Sequence, residues 1–316
     1  MTVNIAVVGL GAFGHKHLDA LTQILDAKIQ YVAHSKMDIA KEVAAKYGAK
    51  AAFTNYSELL AQDDLDGVVL ATPTQMHHAQ TLEALRAGKH VMVEIPMADS
   101  LAGMQEIVDV QKETGLVAMA GHTRRFNPSH QFVHNKISAG EFAIQQMDVQ
   151  TYFFRRTNAN ALGHARSWTD HLLWHHAAHT VDLFQYQTGE KIVKANAIQG
   201  PKHPELGIAM DMSIQLQTET GKICTLSLSF NNDGPIGTFF RYIGDTNTYI
   251  ARYDDLVDGK ENPIDVSNVA VSMNGIELQD REFVAAIKEK REPNSSVGQV
   301  LPCYVVLDAL QQQLAY

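Results

Sequence analysis

Only two cysteines, Cys224 and Cys303, occur in 316 residues. That is too few for a disulfide framework and suits a reducing compartment. Long apolar runs are also missing: the longest, Gly67–Ala71 and Thr225–Phe230, fall far short of a membrane span. No dense Lys/Arg block offsets the formal net charge of −9, which argues against a phosphate-backbone partner. The chain opens Val3-Asn-Ile-Ala-Val-Val-Gly9 with no basic region ahead of an apolar stretch, so its start reads as a strand. The expectation is a cytoplasmic protein with neither nucleic acid nor membrane as partner.

What is present describes an ordinary globular chain long enough for two domains, with 45% hydrophobic and 19% charged residues. Up to Gly121, compact β-branched runs alternate with helical spacing. The runs are Asn4–Val8, Ile29–Ala33, Gly67–Leu70, His90–Val93 and Val117–Ala120. The helical segments are Gly14–Leu25, Met37–Tyr47, Tyr56–Ala61, His77–Ala87 and Leu101–Thr114. This alternation predicts a parallel sheet covered on both faces. Beyond Gly121 a helix is expected at Phe126–Ala139, then mostly alternating strands interrupted by a helix at Trp168–Gln187 and closed by helices at Gln279–Lys290 and Gly298–Ala315. The fold class read from this is α/β: a doubly wound parallel sheet over residues 1–121, and an α+β domain with an open, mostly antiparallel sheet over residues 122–316.

Gly9-Leu-Gly-Ala-Phe-Gly14 fits G-x-G-x-x-G between a strand and a helix. There the first glycine permits a tight turn, the second lets backbone approach a pyrophosphate, and the third allows close helix–strand packing. N–H groups of the first helical turn, at Ala12 and Phe13 as well as Gly14, then face the phosphates. This is the fingerprint of a Rossmann dinucleotide site. An NAD site usually carries an acid at the end of the second strand. Here the strand ends His34-Ser35-Lys36; a hydroxyl and an ammonium suit a 2′-phosphate, so NADP is favoured, with NAD also possible. Lys36 also reads, with less weight, as a solvated charge at a helix start. Thr72, Pro73 and His77 follow the strand-like Val68–Leu70, where open α/β sheets bind ligands, although a plain turn into a helix would look the same.

These residues resemble the glucose–fructose oxidoreductase / inositol dehydrogenase family. The resemblance rests on Gly9-x-Gly-x-x-Gly14 with His17, Ala71-Thr-Pro with His77, Ala87-Gly-Lys-His-Val91, Glu94-Ile-Pro96, Arg124-Arg-Phe-Asn-Pro128 and His179-Thr-Val-Asp182. It implies hydride transfer at C4 of a nicotinamide, cofactor contacts at Glu94 and Arg124, and homodimers or homotetramers built on the C-terminal sheet. Two positions depart from the family pattern. Glu-Lys-Pro is usual, and here its lysine is Ile95. An acid usually stands four residues before the helix histidine, and here that residue is His175. Thr151-Tyr-Phe-Phe-Arg-Arg156, Ser167–His179 and Ser229-Phe-Asn-Asn-Asp-Gly234 are similar to one branch of the family. Its members oxidise the cyclic hemiacetal of a ring-cleavage semialdehyde diacid to a pyrone dicarboxylate, preferring NADP.

Hemiacetal oxidation needs a hydride acceptor and a base, and no covalent nucleophile. Cys224, in an alternating strand, and Cys303, in a helix, read as structural. His179 and His175, at i and i+4, are the expected catalytic bases, and His176 a substrate contact. Each also reads as an ordinary helix histidine. The i, i+4 pair is a metal spacing too, but the HExxH glutamate is missing and no metal is expected. Arg124, Arg125, Arg155, Arg156 and Arg166 supply forked donors for a dicarboxylate, some of them serving surface ion pairs instead. Trp168 would flank a flat ring or pack in the core. The alternatives are a sugar or inositol-type alcohol dehydrogenase of the same family, and a non-catalytic NADP(H) sensor.

Overall fold

Residues 2–159, 163, 165–166, 169–235, 237–253, 255–266 and 275–314 are described by the computed structural model. Trp168, a candidate substrate contact, lies outside them. The chain divides into two units. The first contains Met1–His122, Ile276–Leu301 and, from the stretch between Asn160 and Trp168, the described Gly163, Ala165 and Arg166; the second contains Thr123–Ala159, Thr169–Gly275 and Pro302–Tyr316.

In the first unit β1 (Val3–Val8), β2 (Ala27–Ala33), β3 (Ala51–Phe53), β4 (Gly67–Leu70), β5 (His90–Val93) and β6 (Ala118–Ala120) form a wholly parallel sheet in the order β3-β2-β1-β4-β5-β6. Ile5, Ala6 and Val7 are completely buried, as a strand covered on both faces requires. Strand order reverses between β1 and β4, opening a crevice at their carboxyl ends. The helices α1 (Ala12–Leu21), α2 (Met37–Tyr47), α3 (Tyr56–Leu60), α4 (His77–Arg86) and α5 (Leu101–Thr114) connect the strands. Local chemistry sets their ends. Ser100 accepts the Gly103 N–H at the start of α5, and Gly115 closes it with φ +65°. Helix α8 (Gly275–Glu289) returns to this unit from far along the chain. Phe283 packs against Gly67, and Lys288 pairs with Asp26 at 2.6 Å.

In the second unit the helices are α6 (Pro128–Ser138), α7 (Ala178–Thr188) and the last part of α9 (Val297–Leu314). The strands β7 (Ile144–Tyr152), β8 (Ile192–Gln199), β9 (Asp211–Thr218), β10 (Ile223–Ser229), β11 (Gly237–Gly244), β12 (Thr248–Arg252) and β13 (Asp255–Asp258) form a second sheet. Its order is β13-β12-β11-β7-β10-β9-β8, antiparallel throughout except between β7 and β10. Strict alternation buries one face: Met147 and Val149 of β7, Leu226 and Leu228 of β10, Phe240 and Tyr242 of β11. The other face, with Gln150, Thr225, Ser227 and Gln215, stays open.

The helix expected over Trp168–Gln187 is not one regular helix. Leu172–Ala177 is a π-helical turn, and only Ala178–Thr188 is α-helical. Wider i→i+5 winding removes the stacking on which the i, i+4 pairing of His175 with His179 depended. Six residues are too few for a sequence pattern to separate the two windings. Strands β3 and β13, three and four residues long, were likewise too short to show as alternation.

Candidate active site

The glycine fingerprint belongs to the first unit. Gly9 has φ +91°, and a Cβ there would stand 2.5 Å from the Ala71 carbonyl oxygen. A Cβ at Gly14 would run into the Gly9 carbonyl oxygen, so α1 and β1 approach here only without a side chain. Around Gly11 there is open space instead. Helix α1 starts there with no side-chain cap and no acid in its first turn. Free N–H groups at Ala12, Phe13 and Gly14 beside an open glycine form a cradle that fits a pyrophosphate.

At the end of β2, His34 Nδ1 accepts the Lys36 N–H at 3.0 Å, closing a tight turn into α2. Ser35 and Lys36 are exposed at the start of that helix, and the first acid is Asp38 within it. Thr72 donates its hydroxyl to Gln80 at 2.6 Å. His77 corrects its expected role. It is buried, with Nδ1 2.8 Å from the Pro96 carbonyl oxygen and Nε2 2.8 Å from that of Thr72. It braces the turns after β4 and β5 and offers no edge to a ligand. Glu94, directly after β5, is held by His17 at 3.0 Å. Arg166 is counted in this unit, half-buried, its basicity reduced by desolvation.

The second unit holds the histidines and most of the arginines. Arg124, half-buried, donates to Asn127 at 3.3 Å and to Thr238 at 3.4 Å, and its guanidinium lies 5.3 Å from the Tyr253 ring centre. Arg125 is the second correction. Its side chain is 4% exposed and donates through Nε and Nη2 to both oxygens of Asp182, at 2.8 and 2.6 Å. That bidentate buried pair organises the fold around α7 and leaves Arg125 unsuited to a substrate carboxylate. Arg156 is exposed, stacks 4.2 Å from the Phe154 ring centre and donates to the Arg155 carbonyl at 2.7 Å.

Arg155 and His176 converge on one carboxylate. Asp170 pairs with Arg155 and accepts its Nη2 at 2.8 Å, while His176 Nε2 lies 3.3 Å from the same oxygen. Both side chains rest on Phe230, the Arg155 guanidinium 4.5 Å from its ring centre and His176 edge-on at 5.1 Å. Asp170 was not singled out from the sequence. The signal available was an acid beside the histidine cluster, with no periodic pattern to mark it. His175 accepts the His171 backbone N–H at 3.3 Å and meets that ring edge-on at 5.2 Å. His179 is half-buried in the first turn of α7. Cys224 and Cys303 are buried and burial pushes both thiols up, so neither is a nucleophile. Trp174 is a core residue whose Nε1 donates to Gln311 at 3.2 Å. Among the described residues no group of three His, Cys, Asp or Glu is arranged to hold a metal. None of the described helices is long and apolar enough to cross a membrane.

The profile of the oxidoreductase family with the NAD-binding Rossmann fold matches residues 3–122, and that of bacterial oxidoreductase C-terminal domains matches residues 128–270. The chain is 69% identical over 312 residues to a 4-carboxy-2-hydroxymuconate-6-semialdehyde dehydrogenase of Sphingobium sp. (strain NBRC 103272 / SYK-6), covering 99% of each. The chain belongs to the glucose–fructose oxidoreductase / inositol dehydrogenase family. It is therefore a dehydrogenase that uses a nicotinamide cofactor.

More distant members of the family include scyllo-inositol 2-dehydrogenase (NAD(+)) of Bacillus subtilis (strain 168), 33% identical over 44% of this chain and 41% of that one. Two solved structures share the fold. Levoglucosan dehydrogenase in complex with NADH has a TM-score of 0.86 at 17% identity, covering 100% of this chain and 97% of that one. Scyllo-inositol dehydrogenase from Lactobacillus casei, with NAD(H) and scyllo-inositol bound, has a TM-score of 0.82 at 20% identity, covering 99% and 97%. Against the family pattern this chain places an apolar Ile95 between Glu94 and a cis Pro96. An aliphatic side chain cannot move a proton, so Ile95 is not itself a base.

The histidines also set the pH range of stability. Burial holds His130 well below the ordinary imidazole value and His171 at about 4, the last also opposed by His176. Unfolding returns them to roughly 6.5. The unfolded chain then binds more protons, and stability falls as pH drops from about 6.5 towards 4. His17, raised to about 10 by Asp280 and Glu94 against the opposing effect of burial, acts in the other direction. Its contribution is complete below about 6.5 and is lost as pH rises through its folded value. Melting temperature measured against pH is expected to show a neutral plateau with losses on both sides. A melting point constant down to the His171 range would contradict the neutral buried histidines.

Proposed function

We propose that the chain oxidises the cyclic hemiacetal of 4-carboxy-2-hydroxymuconate-6-semialdehyde to 2-pyrone-4,6-dicarboxylate, in protocatechuate 4,5-cleavage, with NADP as the preferred acceptor. The observation that carries this is the 69% identity across 99% of the chain to a dehydrogenase of that name. In the reaction the hemiacetal O–H passes its proton to a base, its carbon gives up a hydride, and the ring carbon becomes the lactone carbonyl. The nicotinamide, when bound, accepts the hydride at C4. His179 takes the proton, and His175, in the adjoining π-helical turn, is the second candidate. Arg124, Arg155 and His176 bind the substrate carboxylates, the last two aimed by Asp170. Arg156 contributes positive potential to the same substrate. With both thiols buried, no covalent intermediate is formed.

NADP preference is supported by the end of β2, where Ser35 and Lys36 stand exposed and no carboxylate precedes Asp38. Lys36→Ala is expected to weaken NADP by about tenfold and NAD by less than about twofold, measured by fluorescence titration of both reduced cofactors. Equal losses would remove the 2′-phosphate contact. The open face of the second sheet, with Ile198 68% and Ile223 39% exposed among polar neighbours, supports assembly into homodimers or homotetramers through that sheet. Two buried free cysteines fit a cytoplasmic location.

The substrate assignment is tested by comparing kcat/KM for the semialdehyde diacid and for scyllo-inositol. A preference above about a hundredfold for the diacid is expected, because an arginine-lined site leaves its donors unmatched by a neutral polyol. The reverse preference would return the chain to the polyol branch of the family.

A further inference from the structure

His17 lies on α1 and is completely buried. Its Nδ1 is 2.9 and 3.1 Å from the two oxygens of Asp280 on α8, and its Nε2 is 3.0 Å from Oε1 of Glu94. Carboxylates only accept, so both ring nitrogens must donate and the imidazole carries both protons. Three elements distant in sequence thus meet in one charged chain, all within the first unit. Gly121 makes room for it: a Cβ there would stand 2.9 Å from Glu94 Oε1. With Oε1 occupied, Glu94 keeps its second oxygen as an acceptor at the carboxyl end of β5, one strand from the β1/β4 crevice.

We propose that Asp280 and His17 are positioning residues that fix the Glu94 carboxylate to accept a hydroxyl of the bound nicotinamide cofactor. A helix nearly at the far end of the chain thereby sets cofactor affinity. This rests on the nicotinamide-binding reading alone and is independent of the substrate.

The groups facing His17 are Asp280 from α8 and Glu94 after β5, with Glu277 adding negative charge one turn before Asp280. Together they keep the ring protonated across the neutral range, so cofactor affinity in the parent should not vary with pH there. Asp280→Asn keeps the shape and removes one charge. Burial then dominates, the ring loses a proton within the neutral range, and Glu94 exchanges a charge-assisted hydrogen bond for a weaker one.

The test is titration of the full-length protein with NADPH by nicotinamide fluorescence between about pH 7 and about pH 9, above the second ionisation of the 2′-phosphate. The parent is expected to be flat. D280N is expected to lose about three- to tenfold in affinity as pH rises, and D280N/E94Q to be flat at the level of E94Q. A flat D280N, or a slope that survives in D280N/E94Q, would overturn the proposal; a purely structural contact would lower the melting point and leave affinity flat. Should D280N fail to fold, H17Q carries the test. H17Q/E94Q should then bind no more weakly than E94Q, and additive losses would overturn the proposal. NADH titrated in parallel separates the two readings. A parent that binds NADH and not NADPH refutes the NADP preference, and the same series then proceeds with NADH.

Discussion

Replacing His179 with glutamine is expected to lower kcat by about 10²–10⁴-fold, the usual range for loss of a positioned general base. NADPH affinity and melting temperature should stay at parental values, since glutamine keeps a polar side chain of similar size at this half-buried position. The acid limb of the kcat/KM profile should vanish with it, because that limb reports deprotonation of the base in the free enzyme. The alternatives are constrained by geometry. His175 is engaged with His171, and His176 with Asp170. Loss of less than about tenfold in kcat for H179Q would move the base to one of them. Asp170→Asn would then discriminate, acting on kcat if His176 is the base and on KM if it only binds a carboxylate.

The second large effect concerns folding. Asp182→Ala leaves the Arg125 guanidinium buried without the carboxylate that both Nε and Nη2 address. Breaking one side of such a pair costs about 3–5 kcal/mol, because the remaining charge stays desolvated. For a protein of this size the melting temperature should fall by roughly 5–15 °C. The double change Arg125→Met with Asp182→Leu should recover most of that loss, since the penalty lies in the unpaired charge. Calorimetry on the single and double variants decides it. A single variant that melts with the parent would mean that the pair contributes nothing to the fold.

Much of the first unit was legible because its signals are local. A glycine fingerprint between strand and helix, and long β/α alternation, need only a few adjacent residues to declare themselves. What stayed hidden depends on partners far away. Nothing near His17 announces Asp280, 263 positions later, and no periodicity shows that α8 belongs with the first unit. Arg125 looked like its neighbour Arg124 until Asp182, 57 positions on, was found across from it. The π-helical turn altered the histidine geometry without altering the spacing of the letters. Asp170 is not legible in the sequence for a related reason: its importance lies in Arg155 and His176 reaching it from two directions.

The most direct test of the account is the near-ultraviolet absorbance of reduced nicotinamide, followed after purified protein is mixed with freshly prepared protocatechuate 4,5-cleavage product and either NADP or NAD. Rapid NADPH formation, slower NADH formation, and loss of the substrate's visible band in step with the nicotinamide signal are expected. No reduction of either cofactor by that substrate would contradict it.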